Sequence, residues 1–165
     1  MSGPPTYDHV SERLLNGITA VLYQVGAEAD ALLPTLPSLI GRALKGDLDA
    51  AGDASILFLA KARAGAMSPH DALPLADLLA KAANVRDTAE DNLRVAAVCG
   101  LLGFRELALG NQLLAEMHHG QALFMAERAA LKGDLSVETV LTALAENISP
   151  GAVKYARKLG RRGKI

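Results

Sequence analysis

Ten consecutive residues, Leu93 to Leu102, read LRVAAVCGLL and carry a single charge, Arg94. Wound as a helix, this run presents apolar side chains in every direction. Such a helix is stable only when other elements cover it on all sides. A chain holding it must therefore pack helices around a central one.

The residues that follow extend this centre to Gly133. Gly103 offers a left-handed stop, and Phe104 begins a second apolar piece with Leu107, Leu114 and Met117 on one stripe. That piece is expected to end at His118-His119-Gly120, since imidazoles in a last turn beside a glycine suit a helix C-terminus. A third piece, Gln121 to Lys132, stops at Gly133. The expected centre is three helices joined by tight turns, which makes neighbours antiparallel.

Half of the 165 residues are hydrophobic, yet only 4% are aromatic and tryptophan is absent. A core of Leu, Ala and Val suits close helix packing, and Ala and Leu are strong helix formers. One cysteine, Cys99, rules out an intrachain disulfide and fits a reducing cytoplasm. The N-terminus lacks a basic start followed by an apolar run, so no signal peptide is expected. The longest uncharged run near the start, Leu14 to Ala27, is too short and too polar to span a membrane. A cytoplasmic protein is the expectation. Residues 154–165 hold six basic residues and no acid, against 11 basic and 18 acidic residues before them.

Taken in order, residues 1–7 are expected to be disordered around Gly3, Pro4 and Pro5. Asp8 caps a helix to about Gln24, with Val10, Leu14, Ile18, Leu22 and Val25 on one face. A short helix follows from Ala27 to Leu33, and another from Pro37 to Lys45. Asp47 caps a helix from Leu48 to Ala64. Ser68-Pro69 opens the next, a cap residue followed by proline at the first helical position, and Pro74 can delay its start. Asp87 is the expected cap of the helix entering the centre. Ser136 starts a helix to about Asn147, and Ser149-Pro150 starts a last one to about Leu159. No window alternates like a strand. The expected fold is all-α: one domain over residues 8–160, a bundle of eight to ten short antiparallel helices with a helical-repeat character, and a basic flexible tail at 161–165.

Two internal patterns support that repeat character. ALKGDL occurs at Ala43–Leu48 and again at Ala130–Leu135, and a Gly precedes an Ala by five residues at Gly46…Ala51 and Gly103…Ala108. The stretch GFRELALGNQLLAEM, residues 103–117, resembles the second half of a tetratricopeptide repeat. The resemblance implies that Gly103 ends one helix, and that Ala108 and Ala115 let the next pack closely. After Gly133 the sequence departs from the pattern, with Glu138 in the alanine position. Residues 136–162 resemble the helix-turn-helix of winged-helix regulators. That resemblance implies Asn147 in the left-handed turn, Ile148 as the buried turn residue, Ser149 as the cap, and Val153 and Leu159 on the core face. Glu146 stands where that family has an apolar residue.

Little in the sequence points to chemistry. Adjacent His118 and His119 would point about 100° apart on a helix. They cannot chelate one ion together, and no metal ligands are expected. His9 and His70 read as solvated residues near helix starts. Cys99 lies among apolar residues and reads as a buried, inert thiol. No Gly-rich loop follows a strand, and no two acids are paired by spacing. No catalytic residue and no cofactor is expected. Lys154, Arg157, Lys158, Arg161, Arg162 and Lys164 are the candidate contacts to an anionic partner.

The expected function is a non-enzymatic helical interaction module, an adaptor or chaperone-like protein whose partner is another chain or a second copy. One alternative is a DNA-binding regulator using the helix pair 136–162. Another is a helical enzyme or small-ligand binder with a pocket among the helices.

Overall fold

A computed structural model describes residues 36–63, 66–133 and 148–162, with single positions at 141, 142, 144 and 146. The described residues are all-helical: α1 (Leu36–Leu44), α2 (Leu48–Arg63), α3 (Pro69–Ala83), a 3-10 turn (Asn84–Arg86), α4 (Ala89–Ala108), α5 (Gln112–Leu131) and α6 (Pro150–Arg162). Leu141, Thr142, Leu144 and Glu146 are also helical. The expected segment 1–7, the helices from Asp8 and Ala27, the start at Ser136 and the residues after Arg162 lie outside the described residues. Six α-helices are thus described, and the expected eight to ten are not all among them.

Local chemistry explains most of the boundaries. Asp47 Oδ1 accepts from the Ala50 amide at 3.1 Å and caps α2. The Ser68 hydroxyl accepts from the Asp71 amide, with Pro69 at the first helical position of α3. Pro74 does not delay that helix. Thr88, rather than Asp87, caps α4 by accepting from the Asp91 amide at 3.1 Å. Asp87 sits one residue earlier in a left-handed conformation (φ 52°). Its carboxylate is held by α5 and is not available to the helix start.

The centre differs from expectation in its division. Residues 89–131 form two long helices, not three pieces. The chain reverses at Leu109-Gly110-Asn111, where Gly110 has φ +82° and the Asn111 amide donates back to the Glu106 carbonyl at 2.8 Å. This is the left-handed glycine stop, seven residues later than Gly103. The stripe of Leu107, Leu114 and Met117 is therefore split between α4 and α5. The ALKGDL echo does mark helix ends, because Gly46 and Gly133 both have positive φ.

Each helix packs mainly on its neighbours in the chain. The pairs α2–α3 and α4–α5 are antiparallel hairpins, α3 leans on α4, and α1 and α6 cover α2 and α5. The core sits between them, with Leu57, Leu73, Val95, Val98, Phe104 and Leu144 essentially inaccessible. Asp91 through Gly100 is buried without a break, as the sequence of α4 implies. Leu101 departs from that pattern and is only half-buried. Leu101→Ala should therefore cost less than about 2 kcal/mol, below the range for fully buried leucines. A urea titration measures this, and a larger loss would mean that Leu101 is a core residue.

Candidate anionic-partner interface

Helix α6 starts at a built cap. The Ser149 hydroxyl accepts from the Ala152 amide at 3.2 Å, and Pro150 takes the first helical position. The inward face consists of Ala152 and Ala156, both buried, with Tyr155 and Leu159 half-buried beside them. This face lies on α5 at Gly120. A Cβ added to Gly120 would meet Tyr155 Cδ1 at 2.6 Å and the Ala152 carbonyl oxygen at 2.9 Å. The helices touch nearly backbone to backbone, and only glycine allows that approach. The helix-turn-helix resemblance put Val153 and Leu159 on the core face. The packing is rotated from this, with the two alanines innermost. Ile148 is half-buried, and Asn147 lies outside the described residues.

The N-terminus of α6 is occupied by the protein's own acid. The Glu116 carboxyl packs against Gly151, and Ser149 Oγ donates to Glu116 Oε1 at 3.4 Å. A carboxylate beside the first-turn amides suits the helix dipole. Lys154, Arg157, Lys158 and Arg161 are all exposed. They belong to α6, which runs past Leu159 to Arg162. Among the described residues none of these four forms an ion pair, whereas Arg42, Lys81, Arg86, Arg94, Arg128 and Lys132 all do. Glu127 on α5 is the acid closest in effect. Partial desolvation raises its pKa, and the Arg157 charge pulls it back. The side chain of Arg162, and Lys164 as a whole, lie outside the described residues.

The histidine pair sits in the middle of α5, not at a helix end. Gly120 continues the helix because Tyr155 and Ala152 fill the space where a side chain would stand. His119 is buried and turned onto α4. Its ring lies 4.3 Å from that of Phe104, and a Cβ on Gly103 would come within 2.1 Å of its Cδ2. Gly103 is thus a seat for an imidazole and not a helix stop. Burial lowers the His119 pKa to about 4, against an opposing pull from the Gly100 carbonyl. His118 is half-buried and also shifted down, first by burial. Among the described residues, His119 Nε2 and His118 Nδ1 are buried without a hydrogen-bond partner, and no three His, Cys, Asp or Glu side chains converge as a metal site would need. His70 is exposed, with Arg105 Nη2 2.7 Å from its Nδ1. Cys99 is fully buried, and desolvation pushes its thiol up to about 12. Its Sγ donates to Gln121 Oε1 at 3.5 Å. A thiol so far from ionising has little nucleophile character.

Two buried polar networks hold the head of α4, and sequence reasoning missed both. Asp91 is completely buried. It accepts from Arg86 Nε and Nη2 at 3.0 and 2.8 Å, from Arg94 Nη1 at 3.0 Å, and from the Thr88 hydroxyl at 2.8 Å. Burial raises its pKa, but these hydrogen bonds and charges outweigh that, and the net shift is downward. The Arg94 guanidinium crosses Gly52 of α2, where a Cβ would lie 2.7 Å from Nη1, and reaches Glu90 at 2.6 Å and Asp53 at 3.7 Å. Arg86 also pairs with Asp49 of α2. On the other side, buried Asn92 donates to Asn84 and Asp87 at 2.7 and 2.9 Å and accepts from Lys132 at 2.8 Å. Asp87 pairs with Arg128 of α5 and with Lys132 just past its end, which hold its carboxyl well below the usual range. The groups of both networks are mutually paired, so they clamp α4 to α2 and α5. One signal was present in the sequence: Asp91 and Arg94 stand three apart at the edge of an otherwise apolar run.

No family model, curated protein or solved structure matches this chain. The likeness to tetratricopeptide hairpins therefore rests on residues 103–117 alone. There the structure departs from it, since Gly103 lies inside α4 and Ala108 is that helix's last residue. None of the described helices is long and apolar enough to cross a membrane.

Proposed function

We propose that this chain is a non-enzymatic helical interaction module that binds another protein chain. The observation that carries the reading is a cluster of exposed leucines at the α4–α5 turn. Leu107, Leu109, Leu113 and Leu114 are 40%, 47%, 72% and 45% exposed, within eight residues of one another. Scattered apolar side chains are ordinary on a surface, but four exposed leucines around one turn favour a contact site. Hairpin packing supplies a rigid base for such a tip.

The test compares the parent with a Leu109→Asp, Leu113→Asp double variant. Both side chains are outside the core, so the melting temperature should stay within a few degrees. Native lysate passed over the immobilised parent should yield a discrete protein that the variant fails to retain. Sedimentation velocity separates a foreign partner from a second copy. If parent and variant retain the same proteins and sediment alike, the leucine tip is not a contact site and the reading fails.

A further inference from the structure

We infer that the outward face of α6 is a docking surface for the phosphate backbone of a nucleic-acid duplex, independent of base sequence. This surface is separate from the leucine tip, and the inference does not depend on the interaction-module reading.

The geometry comes first. Taking 100° per residue, Lys154, Arg157, Lys158 and Arg161 fall within an arc of about 100°, centred opposite the Ala152–Ala156 face that is bound to α5. The helix is anchored on one side by the Gly120 contact and presents its cations on the other. From Lys154 to Arg161 the charges span roughly 10 Å along the axis at 1.5 Å per residue. That length covers more than one phosphate of a strand. The Glu116 carboxyl already stands against the helix N-terminus at Gly151, so the cationic side chains alone form the anion-binding face.

The composition of the face selects the partner. After Pro150, every exposed position described on α6 is Lys, Arg or Gly. A protein contact of useful affinity has an apolar or aromatic centre and is depleted in lysine. This face has no such centre. Single-stranded nucleic acid is held by stacking on aromatic rings, and Tyr155, the one aromatic of α6, is turned toward Gly120. A surface of cations alone matches the duplex backbone, where contacts to phosphate give affinity without sequence information.

The experiment measures fluorescence anisotropy of a labelled random-sequence DNA duplex, titrated with the full chain over a range of salt concentrations. Four phosphate contacts give a slope of log affinity against log salt of about −3.6, a loss of about 150-fold between about 50 and about 200 mM salt. The variant Lys154→Gln, Arg157→Gln, Lys158→Gln, Arg161→Gln should lose the binding and its salt slope while keeping its helicity. A second variant removes four positive charges elsewhere: Arg42→Gln, Lys45→Gln, Lys61→Gln, Arg105→Gln. It should bind nearly as the parent does. The inference is overturned if the two variants weaken binding equally, since net charge alone would then be responsible. It is also overturned if the parent fails to bind the duplex at the low-salt end, or if a polyglutamate peptide or the single strand binds more tightly than the duplex at equal salt.

Discussion

Replacing Asp91 with alanine should lower stability by about 3–5 kcal/mol, because removing one partner of a buried ion pair strands the other charge. Two guanidinium groups converge on this one carboxylate, which is wholly inaccessible to solvent. Arg94 is itself buried and would keep only Glu90 and Asp53, which lie toward solvent. The head of α4 would also lose the hydroxyl contact that orients Thr88. Asp49 provides the contrast. It pairs with Arg86 too, but its side chain is 80% exposed, so Asp49→Ala should cost no more than about 1 kcal/mol. Urea titrations of both variants give the comparison, provided the slope m is unchanged. Equal losses, or an Asp91→Ala loss below about 1 kcal/mol, would show that the network does not hold the helix. The folded-state pKa of Asp91 lies below its ordinary value. Its contribution is therefore present above the unfolded carboxylate pKa and is lost as the pH falls through the folded one.

The second large effect belongs to His119 and Gly103. The neutral imidazole is the form that fits, and its pKa falls from the ordinary 6.5 to about 4. Above pH 6.5 this histidine imposes no charge penalty. As the pH falls from 6.5 toward 4, the unfolded chain takes up the proton first, and about 3 kcal/mol of stability is lost. His119→Leu should remove most of that dependence in melting curves across this window. A curve as steep as the parent's would assign the acid sensitivity to other groups. The seat is tested separately. Glycine to alanine inside a helix ordinarily stabilises by about 0.5–1 kcal/mol. At Gly103 the sign should reverse, to a loss of about 1–3 kcal/mol, because the added methyl meets the ring. In a His119→Ala background the same change should become neutral or favourable. A double-mutant cycle reads that coupling directly, and additive effects would mean that the ring can simply move aside.

These two sites also show where sequence reading ends. The periodicity and composition predict the all-α class, the caps at Asp47, Ser68 and Ser149, and the burial of Leu93–Leu102, which holds except at Leu101, with Cys99 inside it. The exposure of Lys154, Arg157, Lys158 and Arg161 follows from their spacing. What failed was the role of glycine. Gly103 and Gly120 look like helix ends because glycine often is one, yet each is where a neighbouring side chain crowds the backbone. The sequence around a glycine does not say what lies above it. The polar networks were hidden for a similar reason. Arg94 reads as a lone charge on an apolar run, and besides Glu90 and Asp91 it reaches Asp53, 41 residues earlier on another helix. The cap of α4 was misplaced by one residue because Asp87 and Thr88 are both good caps. Only the arrival of Arg128 and Lys132 from α5 decides between them.

Packing of each helix on its chain neighbours has a kinetic consequence. The described helices pack mainly on their neighbours in the chain, so little loop entropy is needed to reach the first native hairpins. The α4–α5 pair, joined by a three-residue turn, is the natural nucleus. Arg128 and Lys132 close the open end of the α4–α5 hairpin itself, whereas the clamps that join Asp49 and Asp53 to the head of α4 close loops that span α3. Loop closure of that length favours late formation. The hydrophobic hairpins would then set the folding rate, and the ion pairs made late would govern how slowly the finished structure comes apart.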